Sequence, residues 1–348
     1  MAAQAPATRS RLASRVLRGL LLTAIALAVF ALLRMRDSDL TAFLTAFANV
    51  SWRWAAAAIA MNLLSAIAGT LAWRTVIVQA MPPPRARYRD VLSAFSIGLL
   101  GNIVVPGRAG ELARIAVLAP RLQKRQASFA TLGGTVVAYR LLDLVPSLLL
   151  IGYVLIAAPI AHWAVVSLAL VAAVGVCLLA AGFASARRHE RLIQASGRFR
   201  ELIRMGREGL GILRAPIPAA LATAYQLSAW CAQLLAVFAT MRAFGLDLSL
   251  GVAAVVLALV NLAILFPLWP GNVGLLQATV ALPLVTYGVS YGHGIAFGVG
   301  LQAIEISVGV SLGLIFLARE GLTLPVRRRS DGAGKGPAVA RALETERG

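Results

Sequence analysis

The fold is decided by residues 248–304, LSLGVAAVVLALVNLAILFPLWPGNVGLLQATVALPLVTYGVSYGHGIAFGVGLQAI, which contain no Asp, Glu, Lys or Arg. Three further uncharged runs cover 54–73, 144–186 and 215–241. About 20 apolar residues suffice for a helix to cross a bilayer, so each run is long enough to span at least once. A β-barrel would show alternating residues instead of long apolar blocks. The sequence therefore predicts an all-α polytopic membrane helix bundle.

The composition of the 348 residues excludes several classes of protein. Hydrophobic residues make up 59% of the chain and charged residues 14%, whereas soluble domains carry roughly a quarter charged residues. The net charge of +19 comes mainly from segments between the apolar runs, as expected for loops beside anionic lipid, so no nucleic-acid partner is predicted. Cys177 and Cys231 lie inside apolar runs and are predicted to be packing residues. No metal and no cofactor is predicted.

The distribution of basic residues predicts the threading. Residues 1–15 form a basic cytoplasmic N-terminus, and the uncharged residues that follow are expected to form an uncleaved first helix. Residues 16–318 form a single transmembrane domain of about six to eight helices, and 319–348 form a disordered basic tail. Cytoplasmic loops are predicted at 74–90 and 187–214. The weakly charged segments are predicted to face the exterior: 34–53, 157–163 and 242–247.

Two proline-glycine breaks interrupt the apolar sequence and predict re-entrant segments near 91–110 and 251–288. The breaks read Pro106-Gly107-Arg-Ala-Gly110 and Pro270-Gly271-Asn-Val-Gly274. Irregular backbone at membrane depth is tolerated where it is buried in protein or lines a cavity. Two broken helices that enter from opposite sides are the signature of an inverted repeat with a substrate site near the midplane. The alternative is two unrelated proline breaks.

Charged residues follow the first break, where each costs a few kcal/mol unless it is paired or hydrated. Arg108, Glu111 and Arg114 are predicted to form a site for an anionic headgroup at a helix N-terminus after Gly110. Helical spacing places Glu111 and Arg114 on one face with Arg121 and Arg125. The alternative is an ordinary interfacial helix whose arginines meet surface lipid.

Three more charges, Arg140, Asp143 and Glu305, lie inside apolar sequence and are further candidates for binding the lipid headgroup. Arg140 and Asp143 are three residues apart and either neutralise each other or line the cavity of the first break. Glu305 is flanked by uncharged sequence, so it must face the bundle or a hydrated cavity, with Arg140 or Arg108 as candidate partners. Gly294, Gly298, Gly309 and Gly313 permit close helix packing, and Trp73 is expected in an interfacial aromatic belt.

These motifs resemble a known family. The run Asn102-Ile-Val-Val-Pro106-Gly-Arg108-Ala-Gly110-Glu111-Leu-Ala-Arg114, followed by Tyr139-Arg140-x-x-Asp143 and Pro270-Gly-Asn-Val-Gly274, is similar to the membrane region of lysylphosphatidylglycerol synthases. That region also occurs alone in flippase-like membrane proteins. The resemblance implies two re-entrant segments and movement of modified lipids between leaflets, in a bacterial cytoplasmic (inner) membrane. Leu275 and Gln277 stand where the family often has an acidic residue, and we expect a module without the synthase domain.

Three functions follow from this pattern. The leading hypothesis is a lipid translocase whose partners are membrane lipids with an anionic or modified headgroup, and which is not an enzyme. Its rival is a membrane glycosyltransferase with a polyprenyl-phosphate donor, because Asp37-Ser-Asp39 lies in the first predicted exterior loop. The third is a non-catalytic scaffold for a lipid-modifying enzyme. Such an enzyme or a second copy of the chain is a further candidate partner.

Overall fold

The computed structural model describes residues 37–81, 86–105, 109–122, 129–158, 162–187, 210–265 and 272–321. These residues contain ten α-helices and no strand, which confirms the all-α prediction. The helices are α1 (Asp37–Ala48), α2 (Trp52–Ala80), α3 (Tyr88–Val104), α4 (Gly110–Leu118), α5 (Phe129–Ala157), α6 (His162–Arg187), α7 (Pro216–Ala243), α8 (Leu250–Ile264), α9 (Leu275–Val285) and α10 (Tyr291–Gly321). Short 3₁₀ helices cover Ala119–Arg121 and Gly211–Arg214.

Five helices, α2, α5, α6, α7 and α10, are long and apolar enough to cross a membrane. The predicted first helix and the basic N-terminus, 1–15, lie outside the described residues, so the total helix number stays a prediction. Helix α10 continues to Gly321, which is three residues into the predicted tail 319–348. The rest of that tail also lies outside the described residues.

The two ends of helix α2 pack against different parts of the chain. Helix α2 is about 43 Å long at 1.5 Å per residue, and at its N-terminal end Ser51 N donates a hydrogen bond to Ala243 O at 2.8 Å. At its C-terminal end Ile77 and Met81 pack in one cluster with Leu118 and Leu213. The two ends of α2 therefore contact different segments, which the basic residues predict to lie on opposite sides of the membrane. Which end faces the cytoplasm stays a prediction.

The first break forms a hairpin of α3 and α4. The two helices pack antiparallel, with Gly98 and Gly101 of α3 against Gly110 of α4. A Cβ atom on Gly110 would lie 1.9 Å from the carbonyl oxygen of Gly98, so only glycine permits this approach. At 17 residues α3 is about 26 Å long, which is shorter than the hydrocarbon core of about 30 Å.

The second break joins two more short helices, α8 and α9. Helix α9 packs on α10, where a Cβ atom on Gly294 would lie 3.0 Å from Ala281 Cα and one on Gly298 would lie 3.1 Å from Gln277 Cα. Gly309 and Gly313 of α10 approach α3 in the same way, which confirms the predicted close packing at all four glycines. Re-entry into the bilayer and an inverted repeat stay predictions for both hairpins.

Three local predictions are wrong. The predicted loop 34–53 contains helix α1, which begins at Asp37. Cys177 and Cys231 are exposed on the surface of the bundle, so they are not packing residues. Trp73 is fully buried, so it does not belong to an interfacial belt. The errors at the two cysteines and at Trp73 arose because position along the chain does not show which face of a helix is covered by its neighbours.

Candidate functional site

A cavity of about 590 Å³ lies between the two hairpins, with a largely apolar lining that includes several polar and charged side chains. Asn102 at the end of α3 and Asn272 just before α9 both line it. A second cavity of about 290 Å³, lined by Glu111 among others, shares Asn102 and also Arg140 and Asp143 with the first. Because the two cavities have these walls in common, they form one space inside the bundle, with its polar and charged groups concentrated on the shared wall.

The charged residues that follow the first break form a connected chain of ion pairs. Glu111 of α4 pairs with Arg114 and with Arg140 of α5, and Arg140 Nε donates to Glu111 Oε1 at 3.0 Å. Arg140 also lies 3.3 Å from Asp143 Oδ2. Asp143 Oδ1 in turn accepts a hydrogen bond from Trp230 Nε1 at 2.8 Å. Two positive and two negative charges cancel, which reduces the cost of placing them among apolar helices.

The two arginines of this cluster have different surroundings. The side chain of Arg114 is only 4% exposed, and its guanidinium lies 4.6 Å above the ring of Trp73 and 5.2 Å from that of Tyr139. Cation–π attraction there compensates in part for lost hydration. The side chain of Arg140 is 42% exposed and lines both cavities. Arg114 therefore holds the cluster together, and Arg140 presents its charge to the cavity.

The turn of the first hairpin is held by an amide. Gly110 N donates a hydrogen bond to Asn102 Oδ1 at 3.0 Å. This first N–H group of α4 is therefore already satisfied within the hairpin, and the predicted headgroup seat at this helix N-terminus stays a prediction. Arg108, with Pro106 and Gly107, lies outside the described residues, so its role stays a prediction.

The predicted stripe of four charges along one helix is wrong. Helix α4 ends at Leu118, because Pro120 cannot donate the next helical hydrogen bond, and a 3₁₀ turn follows. Arg121 lies in that turn, 3.8 Å from Asp90 and away from the cavity lining. Arg125 lies outside the described residues.

The second hairpin is held by uncharged groups. Asn272 has a positive φ of 47° and donates from Nδ2 to Ala263 O at 3.1 Å, which ties the two helices together. Gly274 has φ 90° and donates from its N–H to Gln277 Oε1 at 2.6 Å. Gln277 Nε2 then donates to Gln302 Oε1 of α10 at 2.5 Å. Pro270 and Gly271 lie outside the described residues.

Glu305 of α10 lines the larger cavity together with Arg140. Within the described ranges, however, no basic side chain forms an ion pair with its carboxylate. The predicted pairing with Arg140 is therefore wrong, since Arg140 is held by Glu111 and Asp143. The alternative pairing of Glu305 with Arg108 stays a prediction, because Arg108 lies outside the described residues.

Sequence reasoning missed the aromatic and amide members of the site. Trp230 and Gln226 are four residues apart on one face of α7, where Gln226 Nε2 donates to Tyr139 O at 3.4 Å. Polar groups at helical spacing within an apolar run were a usable signal. No comparable signal marked Trp73, whose partner Arg114 is distant in sequence.

The chain matches the family model described as the lysylphosphatidylglycerol synthase TM region over residues 16–313. The chain belongs to this family. Together with the five long apolar helices, membership identifies a multi-pass membrane protein tied to lipid modification or transport. The charged cluster and both hairpins lie inside the matched range. Comparison with curated proteins and with solved structures gave no match.

Proposed function

We propose that this protein binds a lipid headgroup in the cavity between its hairpins and translocates the lipid between the two leaflets of a bacterial inner membrane. The observation that carries the proposal is the Glu111–Arg114–Arg140–Asp143 cluster, which lines a polar cavity inside an apolar bundle. Charges at this depth are costly and typically mark a substrate path. The family's association with lipids supports the same conclusion.

Arg140 is the group proposed to contact the headgroup phosphate. Its guanidinium is planar and carries five donors, of which Glu111 and Asp143 occupy only part. It is also the more exposed arginine of the cluster, so a phosphate reaches it without breaking the buried pair of Arg114. Asp143 and Glu111 fix its orientation, and Trp230 in turn fixes Asp143. These residues act as a preorganised site for a polar group.

The cavity has the size and position for a headgroup to cross. Its volume of about 590 Å³ lies within the range of about 300–1,000 Å³ that is usual for small-molecule sites. The described ends of both hairpins reach its wall at Asn102 and Asn272. We propose that the headgroup passes between these ends while the acyl chains remain in lipid. The role assigned here is transport, with no catalytic step.

The test uses vesicles of phosphatidylethanolamine and phosphatidylglycerol with the purified protein inserted. Trace phosphatidylglycerol and phosphatidylethanolamine with a fluorescent group on one tail report leaflet location, because dithionite quenches only the outer leaflet. We expect the wild type to move probe from the inner to the outer leaflet, where dithionite quenches it. Arg140→Gln should slow this movement about tenfold to a hundredfold, because it removes one to two charge-assisted hydrogen bonds to the headgroup.

The control is Arg242→Gln, which removes an arginine whose ion pair with Asp247 lies outside the cavity. This variant should translocate lipid at the wild-type rate. Wild-type vesicles that behave like protein-free vesicles would refute translocation. Equal loss in both variants would refute the assignment of Arg140.

The glycosyltransferase alternative gains no support from the position of its candidate acids. Asp39 lies in α1, where its Oδ1 accepts a hydrogen bond from Gly292 N at 3.2 Å, and its backbone packs on Gly292. Asp39 thus joins α1 to the start of α10. This is a structural use of the carboxylate, and neither Asp37 nor Asp39 lines the described cavities.

A further inference from the structure

Glu305 is a lone acid in the middle of the longest helix. It is the fifteenth residue of α10, which runs from Tyr291 to Gly321, and its neighbours in sequence are uncharged over 248–304 and 306–318. Its side chain is half-buried on the cavity wall. Among the described residues no basic side chain pairs with this carboxylate, and an unpaired charge within a membrane helix costs about 3 kcal/mol. Glu305 is therefore a group for which loss of charge is favourable.

The helix that carries Glu305 joins the two hairpins. Before the acid, Gly294 and Gly298 pack on α9 of the second hairpin. After it, Gly309 packs on Ile103 and Gly313 packs on Leu100 of the first hairpin. Glu305 thus lies between the two contact points, on the wall that both hairpins share. A change of charge at this position therefore takes place between the packing contacts of the two hairpins.

The charged groups that face the cavity are few. They are Arg140 and Asp143 from α5 and, in the smaller cavity, Glu111 and Arg114 from α4. The other described helices around it contribute only uncharged groups, including Asn62 of α2, Asn102 of α3, Gln233 of α7 and Asn261 of α8. The four charges sum to zero, so the described cavity carries one negative charge when Glu305 is ionised and none when it is protonated.

We propose that Glu305 is the proton-coupling site of the translocase, a role that rests on the proposed lipid translocation. One carboxylate oxygen accepts a proton from water that reaches the cavity from one side, and an O–H bond forms. The same bond breaks when the proton passes to water on the other side. Nothing is oxidised or reduced. The charge of the cavity alternates between states, and the hairpins repack about α10 as it does.

The test imposes a pH difference across the vesicles used above and follows the labelled phosphatidylglycerol. With one proton moved per lipid, a difference of one pH unit shifts the ratio of probe between leaflets about tenfold, and reversing the gradient reverses the shift. Glu305→Gln should abolish this shift. Glu305→Asp should retain it at a lower rate. Asp247→Asn, which neutralises a carboxylate outside the cavity, should behave as the wild type.

A second measurement does not depend on lipid movement. Infrared spectra recorded during a pH titration should contain a protonated-carboxyl band that disappears in Glu305→Gln and remains in Asp247→Asn. Absence of that difference overturns the proposal, as does lipid movement that follows an imposed sodium gradient at equal pH. Lipid movement that depends on neither the pH gradient nor the sodium gradient would refute proton coupling but would remain consistent with lipid translocation. Failure of every labelled lipid to move in the wild type overturns translocation, and coupling with it.

Discussion

The two hairpins share a plan and differ in chemistry. In each, a short helix ends before a proline-glycine pair in the sequence, an asparagine ties the two helices together, and a glycine precedes or begins the second helix. The first hairpin then places Glu111 and Arg114 against α5. The second places Gln277 against Gln302 and contains no charged residue in its described helices. We infer that the first hairpin positions the headgroup site and the second provides the opposing wall.

The comparison also separates two reasons for a glycine at one motif position. Gly110 lies where the carbonyl of Gly98 leaves no room for a side chain. Gly274 has open space around it but a φ of 90°, which L-residues rarely adopt. Helix packing therefore requires the glycine in the first hairpin, and backbone conformation requires it in the second.

The largest effect is expected when the buried cation of the first hairpin is removed. Arg114→Met leaves Glu111 with a single partner and should lower the free energy of unfolding by about 3–5 kcal/mol, as for other broken buried ion pairs. The matched change in the second hairpin, Gln277→Met, removes neutral hydrogen bonds and should cost about 1–3 kcal/mol. Unfolding midpoints in detergent micelles measure both. Equal losses would contradict the difference drawn between the hairpins.

The fold was largely predictable because apolar runs and proline-glycine breaks determine where membrane helices start and stop. The pairs within the cluster were predictable only where spacing is helical, as for Arg140 and Asp143. The bridge from Glu111 to Arg140 and the stacking of Arg114 on Trp73 join residues far apart in sequence. They depend on how α2, α4 and α5 pack, and no local pattern contains that information.

A smaller effect is expected from adding a methyl group at each motif glycine. Gly110→Ala forces α3 and α4 apart and should cost about 3 kcal/mol, the upper end of the usual range for overpacking. Gly274→Ala meets no neighbour and should cost about 1–3 kcal/mol, because its φ of 90° with a ψ of −52° lies in a region that L-residues rarely adopt.

The control for these two substitutions is Gly133→Ala in α5, where the new methyl also meets nothing. It should stabilise the protein by up to about 1 kcal/mol through helix propensity. Unfolding midpoints of all three variants in one detergent give the comparison. If Gly110→Ala or Gly274→Ala is no less stable than Gly133→Ala, the reason given for that glycine is wrong.

The smallest effect is expected at Asp37 and Asp39, which belong to neither hairpin. In the double variant Asp37→Asn with Asp39→Asn, the amide oxygen at position 39 can still accept the hydrogen bond from Gly292 N. Lipid movement should therefore stay within about twofold of the wild type, since such changes are usually worth no more than about 0.5 kcal/mol. A glycosyltransferase that uses these acids would instead lose about 10²–10⁴-fold in rate. The vesicle assay with labelled phosphatidylglycerol measures the first, and sugar transfer to a polyprenyl-linked acceptor measures the second. If the double variant loses activity while its unfolding midpoint is unchanged, the functional residues lie in α1 and not in the first hairpin. That result would favour the glycosyltransferase over the translocase.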